Sequence, residues 1–154
     1  MAERSVEPTV VLGVSQSFGL LREAVVDRLA VVAGDQPGIF PVNYLVDHGS
    51  IVFRTGEGTK LTNSTGRPVA FEVDGYDPAS GEAWSVVVKG TAWEVTRLHE
   101  VLDALDLPLF PWHVAPKPHI VQIEPDTVTG RRFHVLDAPA RHLPHQHPHR
   151  ASHE

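Results

Sequence analysis

The sequence predicts a mainly β domain, a small antiparallel barrel with a few helices, and three observations predict it. Apolar, β-branched segments of strand length recur along the chain, each bounded by Gly, Pro, Asp or Asn. Only two stretches carry helical spacing, so the strands lie too close together for the helical crossovers that a parallel sheet needs. Closing about six such strands into a barrel also removes the exposed edges that an open sheet would carry.

Residues 1–14 read as an N-terminal arm in which Val10–Leu12 can add a short strand. Ser15 is the candidate N-cap of a short helix over Gln16–Ala24, with Phe18, Leu21 and Ala24 near one face. Arg28–Ala33 is the first strand of the barrel, and Gly34–Gly38 is a turn cluster. Ile39–Val46 and Ser50–Thr55 form a hairpin around Asp47-His48-Gly49-Ser50, where Gly49 can take the positive φ of a primed turn. Lys60–Thr65 suits a helical turn. Pro68–Val73 alternates, with Val69, Phe71 and Val73 on one side and Ala70 and Glu72 on the other. Gly75–Gly81 reads as a turn. Glu82–Val95 is a long strand with a bulge or corner at Gly90.

Thr96–Asp106 has the clearest helical pattern: Thr96 as cap, then Leu98, Val101, Leu102 and Leu105. Leu107–Pro118 carries four prolines in twelve residues and excludes regular structure. His119–Glu124 resumes a strand, Pro125-Asp126 turns, and Thr127–Phe133 supplies a last strand or extension. Residues 136–154 are rich in His and Pro and read as a disordered tail, leaving residues 15–135 as the folded domain.

A chain of 154 residues is one domain with room for a core. A net charge of −6 argues against a general nucleic-acid binder, which needs a basic face. With no cysteine there is no disulfide, thiolate metal site or Cys nucleophile. The first residues lack a basic flank followed by an apolar run, and no segment reaches the roughly 18 apolar residues of a membrane span. The expectation is a soluble cytoplasmic protein without a membrane partner.

The segment Ile39–Leu61 concentrates the functional signals. Arg54, Thr55, Thr59 and Lys60 gather cationic and hydroxyl groups around Gly56 and Gly58, a composition that suits a phosphate and equally a solvated turn. Pro41 inside a strand marks either an edge or a place where the backbone meets a ligand. Trp84-Ser85 can be a rim or core pair, or a flat ring and hydroxyl beside a planar ligand. Phe110-Pro111-Trp112-His113 can be a binding loop or packing over a barrel end.

The tail histidines His142, His145, His147, His149 and His153 lack the apolar surroundings that order a metal site, so no metal is assigned. His48, His113 and His119 have no partner identifiable from sequence. No paired carboxylates, nucleophile elbow, zinc-protease helix or dinucleotide fingerprint occurs. Chemistry, if present, is most simply carried by a bound cofactor.

The pieces RLAVVAGDQPGIFPVNYLVD, GSIVFRTGEGTKL, PVAFEVDGYD, EAWSVVVKGTAWEV and LPLFPWHVAPKPHIVQIEPDTVTGRRF, in this order over Arg28–Phe133, resemble the pyridoxamine 5′-phosphate oxidase-like, FMN-binding split-barrel family. The nearer likeness is to its small actinobacterial-type flavin proteins, related to nitroimidazole-resistance proteins. The resemblance implies a six-stranded antiparallel split β-barrel that forms a homodimer with FMN sites at the interface. It implies that Pro41, Val42, Asn43 and Tyr44 run beside the flavin ring and ribityl chain, and that Arg54, Thr55, Thr59, Lys60 and Leu61 hold the phosphate end. Trp84 and Ser85 would approach the flavin from the long strand, and Trp112 would lie near the interface.

The resemblance further implies an oxidoreductase passing electrons through FMN to a small organic substrate. Its other members offer two alternatives: a deazaflavin in place of FMN, and a binding, carrier or sensor role without catalysis. The oxidases proper carry an Arg-bearing C-terminal segment, and the His- and Pro-rich tail here does not match it, so pyridoxamine phosphate oxidation is not carried over.

Overall fold

The computed structural model describes residues 8–24, 27–33, 35–56, 58, 63–97 and 119–135. Among them are one helix and eight strands: β1 (Val10–Leu12), α1 (Val14–Glu23), β2 (Asp27–Ala33), β3 (Gln36–Val42), β4 (Tyr44–Asp47), β5 (Ser50–Thr55), β6 (Arg67–Asp77), β7 (Glu82–Glu94) and β8 (His119–His134). All pair antiparallel in one sheet of order β3-β2-β6-β7-β8-β5-β4, with β1 added beside β8.

The two ends of that order are consecutive in the chain. β3 pairs β2 through Val42↔Asp27, and β4 pairs β5 through Tyr44↔Phe53, with only Asn43 between them. The sheet is therefore curled, and one strand bent at Asn43 serves both of its edges. This is the expected split barrel, with eight strands rather than six. The count differs because Val10–Leu12 does pair and because the single strand expected over Ile39–Val46 divides at Asn43. Pro41 lies on β3, which pairs with a neighbour on one side only, the place where a missing N–H costs no ladder bond.

The interior is mostly apolar, with Asp27 and Thr55 among the buried polar exceptions. Leu29, Val31, Val42, Ile51, Phe53, Val69, Phe71, Val73, Val86, Val88, Ala92, Val121 and Ile123 fill it, and Leu21 of α1 plugs one end. The alternation expected for Val69, Phe71 and Val73 holds, since all three are buried. α1 begins at Val14 behind Gly13, not at Gln16 behind Ser15. The reason is Gln16, whose side chain turns back to accept the Gly13 N–H at 3.0 Å and caps the helix two residues earlier. Phe18, Leu21 and Ala24 do share its core-facing side.

Three turns are displaced from expectation. Gln36–Gly38 is already strand. β6 and β7 run on to Asp77 and Glu82, which shortens the turn between them. Pro125-Asp126 is not a turn, and β8 passes straight through it. There Lys89 pairs Thr127 while Gly90 pairs Pro125, so Asp126 is an extra residue bulged out of β8. Before the bulge the odd residues Val121 and Ile123 are buried, and after it the even residues Val128 and Gly130 face inward. Gly90 belongs to this bulge because a Cβ there would stand 2.1 Å from the Glu124 carbonyl oxygen.

The hairpin between β4 and β5 has the primed turn expected, with positive φ at His48 (46°) and Gly49 (81°). Of the helical turn expected over Lys60–Thr65, Asn63 and Ser64 are helical. The rest of that turn up to residue 62, the helix over Thr96–Asp106 beyond Arg97, the proline-rich run and the tail lie outside the described residues. Among the described residues no helix is long and apolar enough to cross a membrane.

Candidate functional site

The barrel's register gathers the candidates from three distant parts of the sequence. Val42 pairs Asp27, Asp27 pairs Val73, and Val73 pairs Val86, all pointing inward. Extending the β4–β5 ladder by one and two residues puts Asn43 opposite Arg54 and Val42 opposite Thr55. One residue along from this buried row runs a parallel row on the outside of the barrel: Arg54, Asn43, Asp74 and Ser85, with Asp74 paired to Ser85 directly. Four strand spacings separate its ends, at most about 19 Å along the surface.

Arg54 closes one end of the row. Its side chain is half-buried, and its Nε is sealed from solvent with no hydrogen-bond partner. No ion pair involves it among the described residues. That Nε is short of an acceptor, which a phosphate or carboxylate from outside the chain can supply. The other end is a surface cavity of about 360 Å³ formed by Glu72, Asp74, Tyr76, Trp84, Ser85 and Phe133, among others. Trp84 lies on the backbone of Gly75, where a Cβ would come within 2.5 Å of its ring. Arg28 reaches over the same side and contacts Glu72 Oε2 and Asp74 Oδ2, each at 3.1 Å. Burial, and then the charge of Asp74, raise the Glu72 carboxyl above its ordinary value despite Arg28.

The remaining candidates are placed differently. Val42 is a core side chain, and its N–H donates to the buried Asp27 Oδ1 at 3.3 Å. Tyr44 points inward, packs edge-on against Phe71 and donates its hydroxyl to the Leu21 carbonyl. Burial, and then the Asp27 charge, push its phenol up. Thr55 is buried, with its hydroxyl donating to the Gly56 carbonyl at 3.2 Å. Pro41 is exposed beside Arg28. Thr59, Lys60, Leu61 and Trp112 lie outside the described residues.

Sequence reading left His119 without a partner. The fold brings its Nδ1 to 2.6 Å from Glu94 Oε1, at the inner face beside Thr55. The two are 25 residues apart, and only the β7–β8 register reveals the pair. Asp74 likewise gains its neighbours Ser85 and Arg28 only from the strand ladders, so nothing in its own segment marks it. Among the described residues no cluster of three metal-ligating side chains occurs.

The sequence pattern of the family described as pyridoxamine 5′-phosphate oxidase matches residues 14–132. The chain belongs to that family. A Corynebacterium glutamicum protein bearing the oxidase's name is 38% identical, with a TM-score of 0.75 over 83% of this chain and 100% of its own. The structure of an FAD binding protein from Mycobacterium smegmatis is 31% identical, with a TM-score of 0.72 over 82% of this chain and 99% of that one. An uncharacterized Mycobacterium tuberculosis protein is 34% identical over 136 residues, covering 84% of this chain and 89% of its own. As a member of the oxidase family the chain shares the barrel with these relatives.

Proposed function

We propose that this chain binds a flavin nucleotide along the outer row and passes electrons through it to a small organic molecule. The observation that carries the reading is the half-buried, partnerless Arg54 Nε at one end of a row whose other end opens into an aromatic cavity. The FAD binding of the mycobacterial relative supports a flavin. FMN, implied by the resemblance, carries one phosphate, and FAD carries two.

In this reading Arg54 pairs the phosphate in a charge-assisted contact, worth about 1.5–3 kcal/mol. Asn43, at the bend between β3 and β4, lies where the chain can direct a polar group outward at the middle of the cofactor. Ser85 offers a hydroxyl, and the Tyr76 and Phe133 rings exclude water at the far end. When bound, the flavin supplies reversible hydride and electron transfer. A row on an outer face is one wall, and the proposal takes the opposite wall from a second copy, making the working unit a homodimer. We place it in the cytoplasm, a compartment that a cysteine-free chain permits.

The test is the visible absorption spectrum of the purified full-length chain and the mass of whatever it releases on denaturation. The reading predicts flavin absorption, a released FMN or FAD, and reoxidation of the reduced flavin by an organic acceptor faster than by oxygen alone. A colourless chain with no saturable flavin titration rejects it. Flavin that binds but is reoxidised only by oxygen rejects the catalytic half and leaves a carrier.

A further inference from the structure

The cavity at the Ser85 end has a chemistry of its own, and we infer that it is a subsite for a planar, positively charged small molecule, the partner that exchanges electrons with the cofactor. This rests on the flavin reading for its role but not for its binding chemistry. At about 360 Å³ the cavity is the size of a one- or two-ring ligand rather than a peptide. Its walls are of two kinds. Tyr76 and Phe133 present ring surface and remain 57% and 38% exposed, an apolar cost on an open surface that a flat ligand would remove.

Glu72 and Asp74 present two carboxylates from alternate positions of one strand face. Arg28 bridges both but is itself half-exposed, so the cavity keeps a net negative charge and the two carboxylates still repel each other. Arg131, opposite Ser85 in the β7–β8 ladder, is not one of the walls. Ring faces beside two carboxylates that share one guanidinium favour an aromatic cation, which gains both ring and charge contacts, and disfavour an anion. Arg54, with the opposite sign, stands at the other end of the row. The two ends thus divide the work: anion at Arg54, cation at Asp74.

Arg28 gives the inference a test whose sign a merely unfolded variant cannot imitate. Because Arg28 competes with a cationic guest for both carboxylates, removing it should tighten binding. The experiment is calorimetric titration of the full-length chain, as purified, with 1-methylquinolinium, with neutral quinoline and with 2-naphthoate. The expected result is saturable binding of 1-methylquinolinium, about tenfold or more tighter than quinoline, and none of 2-naphthoate. Asp74→Asn should weaken the cation about fivefold or more, and Arg28→Gln should strengthen it by a similar factor.

Equal binding of cation and neutral analogue, preference for the anion, or weaker cation binding in Arg28→Gln would overturn the inference. Flavin titration in parallel keeps the two readings apart. A chain that binds flavin without preferring the cation loses this subsite only. A chain that prefers the cation but takes no flavin keeps the subsite and loses the cofactor.

Discussion

The hydroxyl of Tyr44 donates to the carbonyl of Leu21, one of the last four carbonyls of α1, and so ties the only described helix to the bent strand that serves both edges of the sheet. The Tyr44 ring adds an edge-on contact with Phe71 at 4.7 Å between centroids. Removing the hydroxyl leaves the carbonyl short of a donor in a half-buried place. Tyr44→Phe should therefore lower stability by about 1–2 kcal/mol, read as a shift in the urea midpoint with an unchanged slope. Since the hydroxyl is engaged inside, what Tyr44 offers a ligand comes from its backbone.

The bulge at Gly90 makes a second, steric prediction. Gly90→Ala puts a methyl into the Glu124 carbonyl, which is backbone and cannot swing away. It should cost about 1–3 kcal/mol, the range of overpacked sites. Gly19→Ala is the matched control, since nothing lies within 4 Å of the added methyl on the helix. There the change should stabilise by about 0.5–1 kcal/mol. Thermal unfolding of both variants decides whether the local geometry is right.

A third prediction concerns pH. The Glu72 carboxyl is raised by burial first and by the Asp74 charge second. The folded chain therefore holds this proton more tightly than the unfolded one. Stability from this group is complete below the unfolded carboxylate value and is lost as pH climbs through the folded one. Glu72→Gln should thus unfold at the same temperature as the parent in acid and at an equal or higher one at neutral pH. A variant less stable at neutral pH than in acid, relative to the parent, would show that the Arg28 contact outweighs burial.

Much of the fold was legible because it is local. The primed turn at His48-Gly49, the alternation of Val69, Phe71 and Val73, and the irregularity at Gly90 all announce themselves within a few residues. What was hidden depends on register. Pro125-Asp126 has the composition of a turn, and only its position opposite Gly90 makes it a bulge inside a 16-residue strand. Asn43 gives no sign of a break, because Val42 and Tyr44 keep their inward alternation on either side of it. The same holds for the site. Arg54, Asn43 and Ser85 come from separate stretches, and their common row exists only once the sheet curls back on Asn43. Asp74 and the Glu94–His119 pair were missed, since each acquires its neighbours from a strand ladder rather than from its own segment.

The central claim is that Arg54 receives the cofactor's phosphate. Titrating FMN and riboflavin, which differ by that phosphate, into flavin-stripped protein and its Arg54→Leu variant tests it directly. The parent should prefer FMN by about 10- to 100-fold, the value of one charge-assisted contact. The variant should lose that preference, keep its riboflavin affinity, and unfold no lower than the parent, because a half-buried guanidinium whose Nε has no acceptor has been removed. An Arg54→Leu variant that keeps the full preference for FMN, or a parent that binds both ligands alike, would contradict the account.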